Sequence, residues 1–214
     1  MTGDKIILQP YHIPPAQEIF QWIQSRSTGG KKVVTIAGES GSGKSTLAIA
    51  LKKVFTDQSI SAYIFHMDDY FHLPPSSNHQ QRLEDINHVG PQEVNLSLLQ
   101  QHVNLYLAGE DYLEKPLVHY KENEIRTELA SLNSIRFLIV EGTYTSLLDK
   151  ILCKVFMTRN YKETWEDRMK RARDPISPFI EEVLEIEHQI IKKHKDLADI
   201  YVDSDYKVHF TEIN

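Results

Sequence analysis

The chain has 214 residues, 41% apolar and 25% charged, with 24 Lys/Arg against 30 Asp/Glu and a formal net charge of −6. This is an ordinary soluble balance with room for one domain and a full core, and an acidic chain lacks the positive footprint that non-specific nucleic-acid binding needs. The lone Cys153 excludes an intramolecular disulfide, no apolar run reaches the roughly 20 residues of a membrane span, and Met1 to Lys5 lacks a signal-peptide pattern. A cytoplasmic protein without nucleic-acid or membrane partners is expected, with self-association left open.

In chain order, Ile6 to Pro10 reads as a short extended piece. Pro14 and Pro15 then open a helix carrying Ile19, Phe20, Trp22 and Ile23, which Ser27-Thr28-Gly29-Gly30 ends. Residues 1–30 are expected to form a leader with this amphipathic helix, and 31–214 the main domain. Lys32 to Ala37 reads as a buried strand. It runs into Gly38-Glu39-Ser40-Gly41-Ser42-Gly43-Lys44-Ser45-Thr46, which fits G-x-x-x-x-G-K-[ST], the phosphate-binding P-loop. A helix over 44–56 follows, so the motif lies between strand and helix, its confirming context. Small residues let backbone N–H groups curl inward onto phosphate oxygens, and the positive end of the helix adds to that field.

A strand over 60–67 ends in Asp68-Asp69-Tyr70-Phe71, and a polar stretch runs from His72 to Gly90. A helix is expected over 91–107, extended chain over 112–120, and a short helix or turn over 129–134. The apolar run from Arg136 to Val140 is expected to be a strand ending in Glu141-Gly142. A helix over 143–149, a strand over 151–157, helices over 161–172 and 178–195, and strands near 200–202 and 206–210 complete the pattern. Fully apolar strands alternating with amphipathic helices imply an α/β fold of three layers, a parallel sheet covered by helices on both faces. Ligands bind such sheets at the carboxyl ends of the strands, where the P-loop, Asp68/Asp69 and Glu141 all fall.

These groups suit phosphoryl transfer. Lys44 supplies a mobile charge for the β- and γ-phosphates, and Ser45 a hydroxyl for Mg²⁺. A P-loop carries no base of its own, so Asp68, directly after its strand, is assigned that role and stands near the metal. Asp69 aids metal or substrate positioning, or caps a turn. Glu141 holds Mg²⁺ through water or grips a substrate hydroxyl. From Lys154 to Arg173 there are seven Lys/Arg against three Asp/Glu. There Arg168, Arg171 and Arg173 suit a small helical lid over about 168–180 that brings guanidinium groups onto the moving phosphoryl. Tyr70 and Tyr112 are candidate pocket walls, and His88 and His119 lie on the expected substrate side.

With these residues in place, the chain resembles the uridine kinase/phosphoribulokinase family of P-loop kinases over roughly 31–203. Gly38 to Thr46 is similar to the family's G-x-S-G-S-G-K-S/T loop. Met67 to Phe71 is similar to its Asp-containing turn, where the first Asp is the base. Ile139-Val140-Glu141-Gly142, the arginines before Asp174, and Ala198 to Val202 resemble its later elements. The nucleoside-contacting segments depart from the family pattern: Val118-His119 stands in place of Tyr-Asp, and Asn87-His88-Val89 in place of Asp-His-Pro. The resemblance implies an ATP- and Mg²⁺-dependent kinase acting on a small-molecule hydroxyl, with uridine or a related nucleoside as leading acceptor and pantothenate, a sugar or a sugar phosphate as alternatives. An ATP-binding regulatory protein without turnover is the alternative of another class.

Overall fold

The computed structural model describes residues 6–165 and 177–211. A six-stranded sheet forms its centre. The strands are β1 (Lys32–Gly38), β2 (Ala62–His66), β5 (Phe137–Glu141), β6 (Cys153–Met157), β7 (Ile200–Val202) and β8 (Val208–Phe210), in spatial order β2-β5-β1-β6-β7-β8. All neighbours are parallel except β8, which runs antiparallel to β7. Strands β3 (Tyr112–His119) and β4 (Glu124–Ser131) form a separate antiparallel hairpin.

The period of two in β1 sorts its side chains onto two cores. Val34 and Ile36 face α1 (Ile13–Arg26) and α2 (Lys44–Asp57), joining Ile19, Ile23, Leu47, Leu51 and Phe55. Val33 and Ala37 face the other side, with Leu99, Val103 and Tyr106 of α4 (Leu96–Ala108) and Ile191 at the end of α5 (Pro178–Ile191). The leader helix therefore shares the core of β1 and α2. Among the described residues, no helix is long and apolar enough to cross a membrane.

Several local expectations are corrected. The polar stretch after His72 contains α3 (Pro75–Glu84), which buries only Asn78 and so has no apolar stripe to read. The helix expected over 91–107 starts at Leu96, capped by the Asn95 side chain, because Pro91–Glu93 forms a 3-10 turn and Val94 bridges to Phe71. Of the helix or turn expected over 129–134, residues 129–131 are instead the end of β4, pairing Leu129 with Glu114, while Asn133 and Ser134 form the turn. The helix expected over 143–149 is a single 3-10 turn, Thr145–Leu147. Residues 161–164 form a turn, and the rest of the expected helix to 172 lies outside the described residues.

Candidate active site

Strands β1, β2 and β5 end side by side, so the P-loop, Asp68/Asp69 and Glu141 emerge at one edge of the sheet. Gly38 opens the loop at φ +145°, and a Cβ there would meet the Met157 carbonyl oxygen at 2.7 Å and Ser42 Oγ at 3.0 Å, so only glycine fits. Gly43 precedes α2, and Lys44 begins it, 8% exposed, donating to the Glu39 carbonyl oxygen at 2.8 Å. Ser42 Oγ is buried in the loop with no hydrogen-bond partner among the described residues. A buried hydroxyl held open to accept or donate fits a loop whose missing partner is a phosphate oxygen.

Glu141 ends β5 at 4% exposure, and Ser45 Oγ donates to its Oε1 at 3.0 Å. His66 Nδ1 lies 2.6 Å from the same oxygen. Burial alone would raise the Glu141 pKa, but the His66 hydrogen bond, Lys44 and Ser45 outweigh it and hold the carboxyl below its usual range. Asp68 goes the other way: burial and the neighbouring Glu141 push its pKa up, against Lys44 and His66. Two neighbouring carboxyls driven apart in this manner are able to take different protonation states. Ser45, Asp68 and Glu141 offer hard oxygen donors, the set Mg²⁺ takes. Among the described residues no cluster of three or more His, Cys, Asp or Glu could hold a metal unaided.

Asp69 is fully buried and turned to the hairpin. Its Oδ2 lies 3.1 Å from Lys115 Nζ, and its Oδ1 accepts from Val118 N at 3.0 Å. Lys115 also meets Glu128 Oε1 at 2.7 Å. Asp69 thus fastens β3 to the turn that carries Asp68, a structural task in place of the expected contact with substrate. Tyr70 is buried too, its hydroxyl 2.9 Å from His102 Nδ1 on α4, so it walls the core and not a pocket. Tyr112 is exposed at the far end of β3, seven residues and on the order of 23 Å from His119, and does not join the cluster. His119 lies near the hairpin tip, where Asn123 Oδ1 accepts from Ser76 N of α3 at 2.7 Å. His88 Nε2 lies 3.1 Å from Asn78 Oδ1. Ser40, Gly41 and Thr46 complete the loop and its helix start, whereas Arg168, Arg171 and Arg173 lie outside the described residues.

Three contacts join residues far apart in the chain. His66 alternates onto the carboxylate edge, a placement visible only once β2 and β5 are paired in register, His66 opposite Glu141. Glu39, expected within the phosphate loop, turns its carboxylate to His188 Nδ1 at 2.6 Å and accepts from Tyr161 N at 2.7 Å. Arg82 grips Glu93 through both nitrogens and meets Glu187 Oε1 at 3.0 Å. None of these pairs has a local spacing signal.

The profile of the phosphoribulokinase/uridine kinase family matches residues 33–174. A bifunctional alpha-galactosidase/sucrose kinase of Mediterraneibacter gnavus is 27% identical over 207 residues, 90% of this chain but only 22% of that protein. The chain thus spans less than a quarter of that relative. A uridine kinase of Geobacillus sp. (strain WCH70) is 28% identical over 190 residues, 81% of this chain and 87% of the relative. Among solved structures, a possible uridine kinase from Bacillus stearothermophilus superposes with a TM-score of 0.65 at 19% identity, covering 88% of this chain and 97% of that one. Phosphoribulokinase from Rhodobacter spheroides gives 0.62 at 12% identity, covering 81% and 70%. These two likenesses establish the shared fold.

Proposed function

Because the chain belongs to the phosphoribulokinase/uridine kinase family of ATP-dependent kinases, we propose that it transfers the γ-phosphoryl of ATP to a hydroxyl of a free sugar, with Asp68 as the base. The observation that carries the chemistry is the meeting of Ser45, Glu141 and Asp68 beside the P-loop, with Glu141 on Ser45 at 3.0 Å and the two carboxyls shifted in opposite directions. Lys44 and the loop amides hold the β- and γ-phosphates. Ser45 and Glu141 would hold Mg²⁺, which when bound would neutralise charge on the phosphates. The acceptor oxygen attacks the γ-phosphorus, its proton passes to Asp68, and the bond to the β–γ bridging oxygen breaks, releasing ADP. Arg168, Arg171 and Arg173 are assigned to neutralising the transferred group.

Two observations favour a sugar. The sucrose kinase relative aligns with 90% of this chain. The segment Lys115 to His119 spends Lys115 and the Val118 amide on Asp69, leaving no Tyr-Asp pair there to meet a nucleoside. Uridine is the second reading, favoured by the Geobacillus relative, which matches along 87% of its own length.

The test is ADP release from Mg²⁺-ATP with sucrose, fructose, glucose, uridine, cytidine and pantothenate in parallel. Turnover is expected with a sugar. Uridine turnover alone would replace the acceptor and keep the reaction. Absence of ADP release with every acceptor, despite tight ATP binding, would favour a regulatory protein.

A further inference from the structure

Adjacent residues on a helix point about 100° apart, so one helix can grip two neighbours with two consecutive side chains. Helix α5 does this with Glu187 and His188. His188 reaches the P-loop through Glu39, which is 6% exposed and also accepts from Tyr161 N. Glu187 reaches Arg82 of α3 at 3.0 Å, and Arg82 grips Glu93, which is fully buried. Glu93 in turn accepts from Asn78 Nδ2 at 2.8 Å and Gly90 N at 2.9 Å, and Asn78 meets His88. A continuous set of polar contacts thus runs from the phosphate loop through α5 to α3 and the 86–93 segment. Each end is part-buried and charged, so displacing either partner leaves an ionic group short of its bond.

We propose that Glu187 and His188 are positioning residues that couple nucleotide binding at the P-loop to the order of α3 on the acceptor side. The Glu39 carbonyl receives Lys44 Nζ, and its carboxylate receives His188. A nucleotide that draws Lys44 onto its phosphates therefore pulls on the same residue that α5 holds. Coupling of this kind is reciprocal: whatever orders α3 tightens nucleotide by the same factor. The inference rests on the P-loop binding nucleotide, but not on the identity of the acceptor or on turnover.

The experiment is amide hydrogen exchange of the full chain, with and without saturating Mg²⁺ and a non-hydrolysable ATP analogue, alongside calorimetric Kd values for that analogue. In the parent protein the analogue is expected to slow exchange over residues 75–84 at least fivefold. Glu187→Gln should abolish that nucleotide-dependent slowing and weaken the analogue by no more than the same factor. His188→Ala should weaken the analogue roughly fivefold and abolish the slowing, while His188→Asn, whose amide nitrogen reproduces Nδ1, should restore both. A merely structural role would raise exchange equally with and without analogue, and that result would overturn the proposal, as would slowing that persists in both variants. Analogue binding without any slowing over 75–84 in the parent sinks the coupling and leaves the kinase reading intact. No analogue binding to the parent at all would overturn both.

Discussion

Replacing Lys115 with Met tests how the hairpin is held to the catalytic turn. Lys115 and Asp69 are 3% and 0% exposed in their side chains and stand 3.1 Å apart. At that separation and an effective dielectric of about 20, the attraction is about 5 kcal/mol. Removing the cation leaves Asp69 buried without its lysine, the Val118 amide still donating to it, and a buried charge deprived of its counter-ion costs about 3–5 kcal/mol. For a chain of this size that lowers Tm by roughly 6–20 °C. Glu128, a third exposed, turns to water at little cost. The double variant Lys115→Met with Asp69→Asn removes both charges while its amide oxygen still accepts from Val118, so it should return to within about 2 kcal/mol of the parent. Urea titration of the four proteins gives the coupling directly. Single-variant losses below about 1 kcal/mol, or losses that simply add in the double variant, would refute the view that this pair fastens β3 to the Asp68 turn.

Further expectations follow from the same edge of the sheet. Asp68→Asn should lower kcat by about 10²–10⁴ while ATP affinity stays within about tenfold; near-parental turnover removes Asp68 from the base role. Because the Asp68 pKa is raised and a base must be ionised, kcat/KM should fall on acidification at a pH above the ordinary aspartate range, and the Asn variant should lose that limb. Lys44→Ala should weaken ATP binding and catalysis together, measured by calorimetry and ADP release; intact turnover would contradict the P-loop assignment. Gly142→Ala would set a Cβ 2.2 Å from Met67 Cβ at φ +155°. It should cost about 1–3 kcal/mol in urea titration and disturb the adjacent Asp68.

What could be read from the sequence was whatever the chain encodes locally. The apolar runs gave β1, β5 and β6 because both faces of these strands are buried, β2 at the sheet edge is only partly buried, and the glycine and lysine spacing of 38–46 is itself the phosphate cradle. Helix α3 was hidden because its residues are almost all polar, and it is held by Arg82 and Asn78 in place of an apolar stripe. Strand β4 was hidden because Glu124-Ile125-Arg126-Thr127-Glu128 is largely exposed and shows little alternation to read. The role of Asp69 depends on a lysine 46 residues away, and that of Glu39 on a histidine 149 residues away. No local pattern carries such pairs, so the partners of Asp69 and Glu39 are not legible in the sequence even though both carboxylates lie in its site motifs.

The leader helix has a practical consequence for anyone cutting the gene. Ala16, Ile19 and Ile23 are wholly excluded from water, and Phe20 packs edge-on against Phe55 of α2 with ring centres 5.4 Å apart. An expression boundary drawn at the family match, 33–174, would strip this helix from the back of α2. It would also remove β7 and leave β6 as a bare apolar edge, a template for self-pairing. It would discard His188, and with it the outer hold on Glu39. Such a fragment should come out of cells as aggregate, whereas the recognisable stretch and its flanks together make one folding unit.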